Sequence, residues 1–95
     1  MKKFLFLTYG FEQPTPEIMT AWGKWFESIK DSVVEKGHFP RGREISKGGI
    51  EDLPLDREAI TGYVIVSAES LDHAEKLAKN NPYIKSIRVY EVMSG

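Results

Sequence analysis

Apolar side chains fall along this chain in short unbroken runs and in spaced stripes, and the two patterns alternate. "KKFLFLTY" (2–9) is aromatic and aliphatic with Thr and Tyr, which predicts a buried strand. "GFEQPTP" follows as a loop of turn formers. Ile18, Trp22, Trp25, Phe26, Ile29 and Val33 then recur at three- and four-residue steps. That spacing predicts a helix with one wide apolar stripe, leaving Lys24, Glu27, Lys30, Asp31 and Lys36 off it. Thr15, Pro16 and Glu17 mark its start: a capping oxygen, a proline whose missing N–H is not needed there, and an acid on the positive helix end. Gly37 is expected to end it as a left-handed cap.

Between His38 and Ala59 the periodicity fails. "RGREISK" would suit a short edge strand between Gly42 and the pair Gly48-Gly49. "IEDLPLDREA" has no clean alternation, and Pro54 argues against a central strand, so a loop is expected there. "ITGYVIVSA" (60–68) is β-branched, aromatic and uncharged, the clearest strand of the chain. Ser70 caps a second helix, with Asp72 in its first turn, Leu71, Ala74, Leu77 and Ala78 as a narrow apolar face, and Lys76 and Lys79 near its negative end. "NNPY" (80–83) stops it at Pro82, and "IKSIRVYEVM" (84–93) alternates as a last strand.

The order is β-α-β-β-α-β, which predicts an α+β, ferredoxin-like fold: a four-stranded antiparallel sheet with both helices on one face. The strands are apolar on both sides. Phe4 and Phe6 oppose Leu5, Leu7 and Tyr9; Ile60, Val64 and Val66 oppose Tyr63 and Ile65; Ile87 and Val89 oppose Tyr90 and Val92. Two helices cover one face only. The other would be a larger exposed apolar patch than a monomer tolerates, so a homodimer with sheets packed face to face is expected.

Composition narrows the function classes. With 95 residues the chain makes one domain, and 41% hydrophobic against 28% charged residues reads as folded. A net charge of −1, with both signs interspersed and no aromatic RNA-binding run, argues against nucleic acid as a partner. Cysteine is absent, which removes disulfides, thiol catalysis and thiolate metal sites. The first apolar run is too short for a membrane span and no small-residue cleavage site follows it, so a cytoplasmic protein is expected.

"MKKFLFLTYG", "AWGKWFESI" and "AITGYVIVSAESLDHAEKLAKNNPYIKSIRVYEVM" together resemble the YCII-related family of small α/β proteins. The resemblance covers most of the chain and implies a dimeric α/β-barrel built from the fold just derived. It also implies a site proposed in some members, a His near the start of the first helix paired with an Asp in a "DPY"-like corner. In this chain the corner is "NPY", with Asn81 at the Asp position, and "PTPEIMTAW" holds no His. The "DGPF" stretch of many relatives is replaced by "LPLDREAITGY". No catalytic residue is carried over.

Candidate chemistry is correspondingly sparse. Asn81 forms hydrogen bonds but is no general base, and Asn80-Asn81 reads first as a helix stop; Tyr83 reads as a packed corner. His38 and Arg41, at one end of the sheet, could bind an anion, the plainer reading being a solvated loop. His73 is expected to be exposed, and two isolated histidines have no metal-ligand spacing. No glycine run matches a phosphate loop, and no residue pattern calls for a cofactor. Trp22 and Trp25 fall on the core stripe. A pocket between the first helix and the sheet would also draw on them, with walls from Tyr9, Met19, Trp22, Trp25, His38 and Tyr63. Two functions follow as expectations. One is a dimeric barrel that binds or converts a small organic molecule there; the other is a non-catalytic dimeric module acting through protein contacts. The dimer is checked by solution mass at micromolar concentration, where two chains per particle are expected and monomer alone would refute the two-faced-sheet argument.

Overall fold

The computed structural model describes residues 1–94. Its first strand, β1 (Lys2–Tyr9), is the apolar run, and its first helix, α1 (Pro16–Ile29), starts where the capping signals lie. The Thr15 hydroxyl accepts from the Ile18 N–H at 3.2 Å. The helix ends at Ile29, well before Gly37. Asp31 and Ser32 favour a turn over a helix, and the Ser32 N–H bonds the Ile29 carbonyl at 2.8 Å. Val33 and Val34 are β-branched and open a strand, β2 (Val33–His38). Gly37 therefore sits within this strand and caps nothing. It is small because a Cβ there would lie 2.5 Å from Cε1 of Tyr63.

The stretch expected to be mostly loop forms a hairpin, β3 (Gly42–Ser46) and β4 (Gly49–Leu53). "RGREISK" does hold a strand, but one paired only with β4, outside the main sheet. Pro54 stands just beyond β4, where it removes no ladder hydrogen bond. Every residue of both hairpin strands is exposed. The hairpin projects, which is why the molecule measures 41 × 40 × 18 Å with a radius of gyration of 14.4 Å, above the ~12 Å of a compact domain this long.

The remaining elements are β5 (Ile60–Ala68), α2 (Leu71–Ala78) and β6 (Ser86–Val92). The main sheet is four-stranded, in the order β2-β5-β1-β6, and every pairing in it is antiparallel. Phe4, Phe6, Val64, Val66 and Ala68 face α1 and α2 and bury with Trp25, Ile29, Ala74 and Ala78. Both helices thus lie on one side. A register shift near Thr8 and Tyr9 sets Ile60 opposite Tyr9, so Ile60 leaves the core series and is 42% exposed. Leu71 is also outside the expected apolar face of α2, at 53% exposed, leaving Ala74, Leu77 and Ala78 to carry it. The opposite side of the sheet bears Leu5, Leu7, Tyr63, Ile65, Tyr90 and Val92, half-buried or exposed.

Trp25 ties the layers together. Its ring packs on Phe6 at 6.2 Å between centroids, and on Trp22 and Phe26 at 5.7 and 5.0 Å. Its indole N–H donates to the Leu77 carbonyl at 2.9 Å, linking α1 to α2. Trp25→Phe keeps an aromatic ring but loses that donor and some volume. We expect a loss of about 2 kcal/mol in urea unfolding with an unchanged slope; a loss near zero would show that the Leu77 contact is incidental.

Candidate functional site

Cross-strand neighbours share a face, so the ladder register decides what meets under α1. Thr8, Gly62 and His38 form one row across β1, β5 and β2, and Phe6, Val64 and Lys36 form the next. Gly62 has no side chain, so the first row has a gap in its middle. A Cβ there would stand 3.0 Å from the Gly37 carbonyl oxygen, 3.5 Å from Thr8 Oγ1 and 3.7 Å from His38 Cα. Above the gap α1 places Trp22 and Phe26, whose rings are 5.7 Å apart and inclined by 34°. The result is a cleft of about 420 Å³, lined by Thr8, Trp22, Phe26, Lys36, Gly37, His38, Thr61, Gly62, Tyr63 and Val64.

Of the residues expected from the sequence, Trp22 and His38 meet here, and Tyr63 borders the cleft only by its place on β5, its ring lying on the other side of the sheet. The other three lie elsewhere. Trp25 is 3% exposed and belongs to the core, because its side of α1 faces Phe6 and α2. Met19 is 66% exposed on the outer surface of the helix. Tyr9 is half-buried with Arg88 over its ring at 4.6 Å. The sequence reading missed Phe26, Lys36, Thr8, Thr61 and Gly62 as walls. Lys36 was the hardest to see, since a helix running to Gly37 would have put it on a solvated helical face. Alternation from Val33 through Gly37 was the available signal, and the bulge between Val33 and Glu35 obscures it.

The polar groups of the cleft are few. Thr8 Oγ1 and Thr61 Oγ1 are 3.2 Å apart, and Thr61 also donates to the Thr8 carbonyl at 3.3 Å. The Lys36 ammonium sits 4.0 Å above the centre of the Phe26 ring, a cation–π contact. No carboxylate is among the lining residues. Glu35 alternates to the other side of β2, where the Tyr63 hydroxyl donates to its Oε2 at 2.6 Å. Phe39 stacks on the same Tyr63 ring at 5.5 Å and 15°. That hydrogen bond to Glu35, then desolvation and the repulsion between phenolate and carboxylate, hold the Tyr63 phenol above its ordinary value. The cleft joins no hydroxyl to a general base, and His38 is its one imidazole. It can bind and orient a ligand, and it can move a proton at one position.

The "NNPY" corner is not part of it. Asn81 is 5% exposed, and neither Oδ1 nor Nδ2 finds a partner in the chain. Its backbone N–H bonds the Ala78 carbonyl at 2.9 Å, and its φ is negative, so the helix stops here without left-handed geometry. His73 is half-buried and its Nδ1 accepts from the Glu69 N–H at 3.1 Å, a local turn contact. Among the described residues no group of histidines and carboxylates could hold a metal ion. No helix among them is long and apolar enough to cross a membrane.

No family model matches this chain, and no curated protein matches it. Among solved structures it is similar to 5-chloro-2-hydroxyhydroquinone dehydrochlorinase from Burkholderia phenoliruptrix, in complex with 2,5-dihydroxybenzoquinone. The match has a TM-score of 0.60 at 17% identity and covers 98% of this chain and 95% of the other. Nearly the whole α+β architecture is therefore shared, and at this identity the likeness is one of fold.

The Tyr63–Glu35 contact has a pH signature. A phenol held above its ordinary value contributes stability fully below that value, and the contribution disappears as pH rises through the raised one. The melting-temperature gap between wild type and Tyr63→Phe should therefore be constant through neutral pH and close in strong alkali. Absorbance titration should show one tyrosine ionising late, and ionising earlier in Glu35→Ala; an unchanged late phenol in that variant would remove Glu35 as the cause.

Proposed function

We propose that this chain binds a small organic molecule in the cleft between α1 and the sheet, acting as one half of a homodimer of ferredoxin-like sheets of the YCII-related type. The observation that carries the reading is the row Thr8–Gly62–His38 beneath Trp22 and Phe26. It is an apolar concavity with a few convergent polar groups, the usual form of a small-molecule site. The dimer rests on the uncovered side of the sheet, where Leu5, Leu7 and Ile65 remain half-buried beside the exposed Tyr90 and Val92. Where turnover occurs, His38 is the group placed to take or give a proton, with Thr8 and Thr61 as neutral hydrogen-bonding groups. The similar structure carries a ring with oxygen substituents, which makes oxygenated rings the first scaffolds to try.

One observation favours a second reading, a non-catalytic interaction module. The hairpin presents Ile45 and Ile50 side by side at 80% and 68% exposed, and an isolated two-stranded hairpin is marginal in water.

A thermal-shift screen of a metabolite library separates the two. Ligand at 100 times its Kd stabilises the folded state by about 2.7 kcal/mol, which in a domain this small raises the midpoint by roughly 10 °C or more. Hits should also move the backbone amide resonances of Gly37, His38 and Gly62. A library-wide null, or hits that move only hairpin resonances, would overturn the cleft reading in favour of the module.

A further inference from the structure

We infer that the cleft selects an anion carried on a flat ring, a ring carboxylate or a phenolate, with Lys36 as the cation that recognises it. This deepens the proposed function and rests on the cleft being a ligand site.

Charge is the first ground. Lys36 belongs to none of the ion pairs among the described residues, which join Lys30 to Glu27, Arg43 to Asp52, Arg57 to Glu12 and Lys85 to Glu58. The strand directs it inward: Lys36 shares the Phe6–Val64 row on the helix side, whereas Glu35, paired with Ile65, lies on the other side and is engaged by Tyr63. Sequence neighbours of opposite charge are thus kept apart by the pleat. Inside the cleft the lysine meets an aromatic face and no acid. Its contact with Phe26 is a weak one that an oxyanion can outcompete, since a charge-assisted hydrogen bond is stronger than an exposed cation–π contact. A cationic ligand would face Lys36 with no compensating carboxylate.

Shape is the second ground. The roof is made of two aromatic rings, and the floor is a strand pair whose central position is glycine. A planar ring matches aromatic faces above a floor that lacks a side chain. A branched, tetrahedral body would meet the Gly37 carbonyl and the Thr8 hydroxyl that bound the Gly62 gap. The Thr8 and Thr61 hydroxyls at the end of that row can supply hydrogen bonds to a polar substituent.

The test titrates the intact chain with benzoate and with benzamide, which are nearly the same shape and differ in charge. Shifts of the Gly37, His38 and Gly62 amides and of the Trp22 indole N–H report binding. 4-Nitrophenol, above its own ionisation, is a third arm that separates phenolate from carboxylate recognition. Benzoate, the phenolate or both should bind roughly fivefold or more tightly than benzamide, the scale of a partly exposed ion pair. The preference should shrink as salt is raised. Lys36→Met keeps the aliphatic stem over Phe26 and should abolish the preference, so that anions and amide bind alike. Equal affinity of anions and amide in the wild type, or a preference that survives Lys36→Met, overturns anion selection and leaves the cleft as a ligand site. No shift at these amides with any of the three overturns the cleft reading and the anion preference together.

Discussion

The packing of Trp25 is the constraint on which the rest of the architecture depends. One indole fills the space between α1, α2 and Phe6, and its N–H closes the gap to Leu77. A buried ring of this size dominates the energetics of a thin core. It also fixes the rotation of α1 about its axis. With Trp25 turned toward α2, Trp22 and Phe26, three residues before it and one after, are turned toward β2. They cannot reach the centre of the core, and they overhang the sheet instead. The cleft is thus a consequence of how the helix is seated, made by the two aromatics that the core leaves over.

The sheet supplies the matching half. β2 lies at its edge, next to β5, and α1 reaches over that edge through Trp22 and Phe26. Close packing would normally fill the space beneath a helix with side chains. Here Gly62 withdraws one from the floor, and the opening is bounded by a threonine on one strand and a histidine on the other. Gly37 acts on the opposite surface. Its missing side chain lets the Tyr63 ring lie across β2 and reach Glu35. The two glycines, neither of them a turn residue, let one edge of the sheet carry a cleft on one side and an aromatic–carboxylate pair on the other.

The sequence shows the central strands, both helix starts and the two-sided apolar pattern, because these depend on local periodicity and capping. The helix end was illegible for a definite reason. Val33 falls on the helical stripe as well as it falls on a strand, and only the pairing of β2 with β5 decides between them. That is a contact between residues about thirty positions apart, such as Val33 with Val66. Everything that follows from the helix end is displaced with it: the periodicity makes Gly37 a cap and Lys36 part of a solvated helical face, and only the "RGREISK" half of the hairpin suits a strand. The same dependence explains the site. Trp22 and His38 announce themselves by residue type. Gly62 and Lys36 matter only through the residues opposite them, and no single-chain pattern states which those are. Met19 and Trp25 flank the true roof residue on the helix, and a misjudged helix rotation exchanges one for another.

The corner at Asn81 shows how burial limits what a residue can do. It is nearly inaccessible and its amide is unpartnered within the chain. Burying an unpaired neutral amide costs a few kcal/mol at most, whereas an unpaired carboxylate costs far more and takes up a proton instead. The cations nearest in sequence, Lys79 and Lys85, do not neutralise the corner: neither bonds Asn81, and Lys85 is engaged by Glu58. An ionised acid would thus be poorly supported at this position, and an amide is the polar residue of that shape that the site tolerates. Asn81 is also absent from the cleft, where the charge is positive and the walls are aromatic. Under the proposed reading the chemistry belongs at the edge of the sheet formed by β2, on the side that Lys36 and His38 share, and the helix–strand corner has a structural part only.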